Sequence, residues 1–500
     1  MSIHRDESTV NIRLEKLQNM QNLGCDPYRE EKFAATHSTQ ELYDQFDQLS
    51  DQEIRAVGRI VAVRVMGKAA FLHISENAVR YQCYLKKNEI GDNAWEIFKN
   101  LDIGDHLGVT GKLFTTKTGE KTIHVSSFTP LSKCFHILPL GKEKDGEQWY
   151  GLSNVENRYR HRNLDLICNS DSREVLINRS KIISAVRRFL EGRDFLEVET
   201  PLLQLVAGGA AAKPFLTHYN AYDINVKLRI SLELYLKRLI CGDIRRVYEI
   251  GRVFRNEGVS NRHNPEFTML EYYEAFVNLE DMMESVESMF KYVTQEVFGS
   301  TTIETADGTL DFSKPWKRVD LLESIEQNSG IKPEVFESLK TAKKAMEDVG
   351  LPTKEEYTIG GILEKLLERF VEPTLIEPTF VVNYPVETSP LAKRHPDNPL
   401  FTRRFEGYIR GREICNSFSE LNNPLDQRER FEEQSKQRFH GNEEAHPMDE
   451  DFLYAMECGM PPTGGCGIGL DRMAMILTGC DSLREVLMFP MMKPEITSGL

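Results

Sequence analysis

Hydrophobic and polar positions along the chain fall into distinct regimes. Between Asn11 and Leu23, the residues Ile12, Leu14, Leu17, Met20 and Leu23 recur at near-helical spacing and Gly24 follows, which predicts a short leading helix within a helical segment over 1–50. From Ile54 to Phe128 the pattern changes to five short alternating runs, AVGRIVAVRV, AAFLHI, RYQCYL, HLGVTGKLF and KTIHVSSF, separated by Gly, Asp and Lys clusters. Five such runs over 51–140 fit a small closed β-barrel of the oligonucleotide-binding kind, with a sandwich open on pattern alone. The polar, glycine-bearing stretch GKEKDGEQWYG has no period and predicts an interdomain linker over 141–170.

A larger mixed domain is expected over 171–500. Within Asp171 to Leu190, Val175, Ile182, Val186, Phe189 and Leu190 keep helical intervals, and FLEVETP then alternates as a strand until Pro201. Between Leu321 and Phe370 the amphipathic stretches LLESIEQNSG, VFESLKTAKKAMEDVG and GGILEKLLERF predict a helical insertion near 315–375 rather than sheet. There is no internal repeat and no low-complexity tract.

Composition narrows the class. A chain of 500 residues is expected to form several domains. It has no apolar run approaching the roughly 18 residues of a membrane span and no signal-peptide pattern at Met1 to Val10, so a cytoplasmic protein with no membrane partner is expected. Nine cysteines without a C-x-x-C pair read as free thiols rather than as a zinc site or disulfide framework. A net charge of -15 argues against a nucleic-acid partner, but residues 51–140 hold 12 Lys/Arg against 9 Asp/Glu. The first place to look for RNA contact is therefore the predicted barrel.

Three segments carry chemistry. In Val247 to Phe276 the reading is strand, polar loop, strand: Arg255 and Glu257 share a face of the first strand, and Phe267, Met269, Glu271 and Tyr273 share a face of the second. The loop Gly258 to Pro265 carries Arg262, His263 and Asn264. Such a surface suits a nucleotide and a zwitterion, because arginine grips phosphate or carboxylate with two donors. An ordinary hairpin with salt bridges is the plainer alternative. Near the C-terminus, Gly464, Gly465, Gly467 and Gly469 precede a helical pattern that places Arg472 in its first turn. It is neither a Walker loop nor a dinucleotide fingerprint, and by itself a glycine-rich loop is as often a tight turn. In RRFEGYIRGREICNSFSELNNP, Glu406 and Glu413 flank the Gly411 turn, and Asn416, Phe418 and Glu420 alternate along a strand. Carboxylates beside a phosphate-binding arginine suit magnesium, although glutamates in such a pattern more often form a solvated face.

Taken together, FLEVETPLL, FRNEG with RHNPEFT, and GIGLDR resemble, in order, the three signature motifs of class II aminoacyl-tRNA synthetases. The preceding barrel and the spacing match the aspartyl, asparaginyl and lysyl subgroup. ELYLKRL, RNEGVSNRHNPEFTMLEYY and FSELN are similar to its lysyl family, of bacterial type given the lack of a long lysine-rich leading extension. The resemblance implies an α+β fold: a five-stranded OB-fold anticodon-binding barrel, then a catalytic domain built on an antiparallel sheet flanked by helices. It implies activation of L-lysine by ATP, transfer to tRNA(Lys), Mg2+ as cofactor, and a homodimer formed through the first motif.

Residue by residue, the resemblance assigns Arg255 and Arg472 to catalysis. Arg255 would meet the substrate carboxylate and α-phosphate, and Arg472 the γ-phosphate side. Glu257, His263, Asn264 and Phe267 would meet ATP, with Glu413 shared between ATP and magnesium and Glu406 a second metal ligand. Gly209 and Glu233 would face the α-amino group of lysine, Asn416 its carboxylate, Glu420 with Tyr273 its ε-ammonium, with Glu271 and Phe418 lining the same pocket. On the barrel, Arg64, Phe71, Gln82 and Glu120 correspond to anticodon contacts, although Phe71 also reads as a core phenylalanine. Leu232, Ala207 and Asn423 depart from the family pattern, which has proline at the first two positions and aspartate at the third. An aspartate or asparagine enzyme is disfavoured by Glu420 and Tyr273, and a protein-lysylating paralogue by the barrel. A noncatalytic RNA-binding protein would have no need of Arg255, Glu257, Glu406, Glu413 and Arg472 together.

Overall fold

A computed structural model describes residues 6–144, 147–305, 308–353, 358–439 and 445–494. The chain divides into two compact units, Met1–Arg173 and Glu174–Leu500.

In the first unit a helix over Glu7–Asn22 starts at Asp6, whose side chain accepts from the Ser8 backbone, and ends before Gly24 at φ +81°. The apolar set read from the sequence is only in part its buried face: Met20 is buried, but Ile12 and Leu14 are exposed, and Val10 and Arg13 are buried in their place. Arg13 is drawn inward because its Nη1 donates to the carbonyls of Cys134 and His136, at 2.6 and 2.7 Å. Five strands follow as the runs predict: β1 (Glu53–Met66), β2 (Ala69–Glu76), β3 (Val79–Lys86), β4 (His106–Thr115) and β5 (Lys121–Ser132). They close in the order β1-β2-β3-β5-β4, so the structure is a barrel and not a sandwich. Alternate residues fill it, among them Ile54, Ala56 and Ile60 of β1 with Ala70, Leu72 and Ile74 of β2.

The stretch expected to be a linker is not unpatterned. Its described residues form the hairpin β6 (Leu140–Lys144) and β7 (Glu147–Gly151), then short helices over Val155–Arg160 and Arg162–Cys168; Asp145 and Gly146 lie outside the described residues. Polar contacts rather than apolar period organise the helices. Asp165 is buried and accepts from Arg158, Arg162, Asn169 and Ser172.

A helix over Ser170–Glu191 spans the boundary, and the second unit is built around one eight-stranded sheet. FLEVETP yields only the two-residue strand β8 (Leu196–Glu197): beyond it the Val198 N–H donates once more to the Tyr248 carbonyl, but the Thr200 N–H goes to the Glu249 side chain at 3.0 Å instead of to the ladder. A small sheet, β9 (Leu203–Gln204), β10 (Leu216–Tyr219) and β11 (Ile224–Leu228), precedes a helix over Glu233–Cys241. β12 (Arg246–Phe254) and β13 (Glu266–Ala275) follow, then a helix over Leu279–Phe298 and a hairpin of β14 (Thr302–Thr305) and β15 (Gly308–Asp311). The remaining strands are β16 (Lys317–Asp320), β17 (Thr379–Val382), β18 (Arg404–Ile409), β19 (Arg412–Ser419) and β20 (Thr463–Gly469), with a last long helix over Leu470–Leu477. The sheet order is β16-β17-β18-β19-β20-β13-β12-β8, antiparallel except for the outermost pair at each edge.

The helical insertion is present but narrower than 315–375. Lys317–Asp320 belongs to the main sheet, and helices run from Leu321 to Thr374 around their own core of Leu321, Ile325, Ile362, Leu366 and Tyr408, with residues 354–357 outside the described set. Strand alternation sets the two faces of the sheet. On β13, Leu270 and Tyr272 pack with Ile182, Val186, Met289 and Phe290 of the covering helices, while Phe267, Met269, Glu271 and Tyr273 turn to the opposite face, where a cleft opens.

Candidate functional site

The cleft holds about 1150 Å³ and runs along the open face of β13, β18, β19 and β20. Its walls bring together fourteen of fifteen proposed positions: Gly209, Glu233, Arg255, Glu257, His263, Asn264, Phe267, Glu271, Tyr273, Glu406, Glu413, Asn416, Phe418 and Arg472 all line it, and Glu420 does not.

At one end lies the cationic half. Arg255 and Glu257 sit past the end of β12, which stops at Phe254, so the loop and not the strand pleat orients them. The Arg255 backbone N–H donates to the Pro265 carbonyl at 2.8 Å, which closes the mouth of the hairpin. Its guanidinium lies 5.1 Å from the Phe267 ring centroid, a cation–π contact that holds it over the face where a flat base could stack. His263 bonds through Nδ1 with Ser260 at 3.0 Å, and burial followed by the Arg472 charge lowers its pKa. Asn264 donates to the Glu266 carbonyl at 2.7 Å, leaving its buried Oδ1 without a partner among the described residues.

The glycine-rich segment is a strand of the sheet, not a loop. β20 pairs with β13 on one side and β19 on the other, and four glycines in seven residues give the cleft a bare backbone floor. Arg472 occupies the first turn of the following helix, as expected, and its Nη1 donates to both the carbonyl and Oε2 of Glu413, each at 2.9 Å. Asp471, a position the motif reading passed over, locks that helix in place. It accepts from the Thr268 backbone at 2.8 Å and from Arg179 Nη2 at 2.6 Å.

The two expected metal ligands differ in their commitments. Glu406 is held by Arg404 Nη2 at 2.5 Å and by the hydroxyls of Tyr384 and Tyr408 at 2.8 and 2.6 Å. Burial and then nearby Glu413 act to raise its pKa. Glu372 stands in the same field and is pushed to about 7, by burial first and Glu406 next. Among the described residues no three His, Cys, Asp or Glu side chains converge on one metal position. Hard oxygen donors in ones and twos fit magnesium, which takes much of its coordination from a nucleotide's phosphates and from water.

The other half of the cleft is acidic. Glu271 accepts from Ser231 Oγ at 2.8 Å, the Leu232 backbone at 2.9 Å and the Tyr273 hydroxyl at 2.9 Å. Burial, and next Glu233, raise its pKa to about 7. The tyrosine hydroxyl thus donates to Glu271 and not to Glu420. Glu420 itself falls one residue beyond β19 and is 1% exposed. It lies behind Gly465, ion-pairs through Oε2 with Lys237, and keeps Oε1 without a hydrogen-bond partner among the described residues. Lys237 also pairs with Glu233 one helical turn earlier. Sequence reasoning missed Lys237 as a participant: within ELYLKRL its i, i+4 spacing from Glu233 was the available signal. Arg404, which donates to Asn416 Oδ1 at 3.0 Å, was missed as well.

On the barrel, Arg64 and Phe71 are cross-strand partners on β1 and β2. Phe71 points outward between buried Ala70 and Leu72 and packs on Tyr84 at 4.7 Å, so it is not a core phenylalanine. Gln82 has its Oε1 taken by Thr122 Oγ1 at 2.8 Å, which leaves only its amide NH2 to offer a base. Glu120 is exposed in the turn that begins at Thr116. Phe114 and His124 extend the aromatic surface around Tyr84, which the motif reading did not include.

Comparison with known proteins agrees with this geometry. Residues 154–493 match the family model for class II tRNA synthetases (D, K and N), and residues 54–131 match an OB-fold nucleic acid binding domain. The chain belongs to the class II tRNA synthetase family of the D, K and N type. Within it, the chain is 50% identical to the lysine–tRNA ligase of Thermoanaerobacter pseudethanolicus, over 97% of its own length and 96% of the relative's. It is 47% identical to that of Moorella thermoacetica, covering 99% and 100%, and 45% identical to that of Bacillus subtilis, covering 97% of each.

Proposed function

We propose that this chain is a lysine-activating enzyme that consumes ATP, forms lysyl-adenylate and pyrophosphate, and transfers lysine to the 3' end of tRNA(Lys). The observation that carries the reading is one cleft with two arginines at one end and three buried carboxylates, Glu233, Glu271 and Glu420, at or behind the other. Such polarity matches a substrate with a carboxylate that must meet ATP and two ammonium groups that need counter-charges.

The lysine carboxylate oxygen attacks the α-phosphorus in line as pyrophosphate leaves. Arg255 holds that carboxylate and the α-phosphate, and Arg472 steadies the γ-phosphate side through its hold on Glu413. Glu257, His263, Asn264 and Phe267 take the adenosine end. Glu406 and Glu413 would hold magnesium, which when bound neutralises charge on the phosphates. Gly209 and Glu233 receive the α-amino group, Asn416 the carboxylate, and Glu420, with one free oxygen, the ε-ammonium, while Glu271, Tyr273 and Phe418 line the pocket. In the second step the terminal ribose hydroxyl attacks the carbonyl carbon and AMP leaves. Catalysis rests on positioning and charge, with no covalent enzyme intermediate.

For the RNA, Arg64, Phe71, Gln82 and Glu120 offer stacking and edge contacts to the anticodon. Leu203, Leu205 and Leu216, 51%, 67% and 72% exposed in and near the first motif, support a homodimer through that face. No helix of the described residues is long and apolar enough to cross a membrane. A cytoplasmic role is the reading that charging of tRNA supports. The test is amino-acid-dependent ATP–pyrophosphate exchange across all twenty amino acids. Lysine should be the best substrate, and a better substrate among the other nineteen overturns the reading.

A further inference from the structure

Lys237 is buried to 1% side-chain exposure between two acids, with its Nζ on Glu233 Oε1 and Glu420 Oε2 and 5.1 Å from the Phe418 ring centroid. It does not line the cleft. A lysine with no access to solvent is costly unless its charge answers a need, and the need here is visible in the surrounding groups.

Those groups come from every element packed around it. Glu233 and Cys241 share its helix, Glu271 and Tyr273 come from β13, Glu420 follows β19, His446 comes from the segment before the helix at Glu450, and Arg404 of β18 faces Glu233. Most add no charge. Burial lowers His446 to about 4 and raises Tyr273 and Cys241, so all three stay neutral near pH 7. Arg404 is committed to Glu406. What remains is three carboxylates and one resident ammonium. A bound lysine would bring two ammonium groups, with its carboxylate going to Arg255, and the three acids would then face three cations.

Resting on the reading that this cleft activates lysine, we infer that Lys237 is a positioning residue that acts as the third ammonium of the pocket, keeping Glu233 and Glu420 ionised and apart so that a substrate with two further ammonium groups closes the charge. Without it, two buried carboxylates would face each other and share a proton, as close acid pairs do. Burial raises the pKa of both Glu233 and Glu420, and the Lys237 charge is the largest influence holding each of them down. The burial of Lys237 opposes its own ionisation, but Glu233 and Glu420 outweigh that and raise its pKa.

The test is lysine-dependent ATP–pyrophosphate exchange by the full chain and by Lys237→Met, with KM for lysine and for ATP measured separately from pH 6 to 9. In the variant one carboxylate must keep a proton when lysine binds, which is easy at pH 6 and increasingly unfavourable at pH 9. The ratio of lysine KM, variant over parent, should therefore grow at least about tenfold across this range, while the ATP KM changes less than about threefold. Adding Glu420→Gln to Lys237→Met removes the surplus charge and should return the ratio to pH independence. A merely structural lysine gives a ratio that does not move with pH, and a flat ratio overturns the inference while leaving lysine activation standing. Should Lys237→Met not fold, Lys237→Arg keeps the charge and must show a flat ratio, so one that grows with pH overturns the inference equally. A parent without lysine-dependent exchange is a different failure, because it removes the reading on which the inference rests.

Discussion

The side chain that Gly465 lacks is the space Glu420 occupies: a Cβ built there would stand 2.1 Å from Glu420 Oε1 and 2.3 Å from the Tyr273 ring. Glu420 can therefore pack against β20, behind the floor of the cleft, only because the strand is bare at this point. Gly465→Ala should displace one of the two residues, at a cost of about 1 to 3 kcal/mol. Exchange kinetics should show the specificity constant for lysine falling roughly fivefold to 150-fold, with ATP KM little changed.

Glu420→Gln keeps the shape but removes the charge. Taking one partner from a buried ion pair costs about 3 to 5 kcal/mol, which predicts a loss of roughly a hundredfold to several thousandfold in the specificity constant for lysine. A value within threefold of the parent in steady-state exchange would show that Glu420 does not meet the ε-ammonium.

Arg255 has no acidic hydrogen-bond partner among the described residues; its Nε reaches only the Ile230 carbonyl, at 3.4 Å. Arg255→Ala should therefore spare the fold while lowering adenylate formation by about a hundredfold to a thousandfold, the usual effect of deleting one transition-state donor. Exchange rate and circular dichroism of the same preparation check both halves, and near-normal exchange by a folded variant removes Arg255 from catalysis.

On the proposed role of Glu271, lysine binding should depend on pH. Burial and Glu233 raise its pKa from 4.5 to about 7, so the folded protein holds a proton there that the unfolded chain has already lost. The stability this contributes is present below pH 4.5 and is lost as pH rises through 7. Lysine needs the carboxylate, so its KM should fall between pH 6 and 8 and then level off, and Glu271→Gln should flatten that limb. A parent KM that rises over the same interval contradicts the assignment.

Phe71→Ala should separate the two half-reactions. Base stacking on an aromatic ring is worth about 1 to 3 kcal/mol, so the specificity constant for tRNA should fall roughly fivefold to 150-fold. Exchange without tRNA should be unchanged, because Phe71 belongs to the other compact unit from the cleft. Equal loss in both assays would place the defect in folding.

Several features of this protein were already determined by sequence, because they depend on short-range period or on side-chain type. Alternation over 53–132 dictated five strands with one buried face, and the 3.6-residue period marked the helices of the insertion. Arg255, Glu271, Tyr273, Glu413 and Arg472 were legible as candidates because they stand in stretches that resemble the class II synthetase motifs. Tertiary structure alone decided which partners those charges meet. Barrel closure over a sandwich rests on the pairing of β1 with β4, residues some fifty positions apart in sequence. The glycines of β20 read as a loop because no local rule shows that they lie between β13 and β19, where Glu420 and Met282 fill the places of absent side chains. Lys237 stayed hidden for the same reason: its pairing with Glu233 is a matter of one helical turn, but its pairing with Glu420, 183 residues later, exists only once the helix has packed against the sheet. In a buried pocket the sign and number of charges are set by everything that surrounds them, and long-range electrostatics has no signature in local sequence.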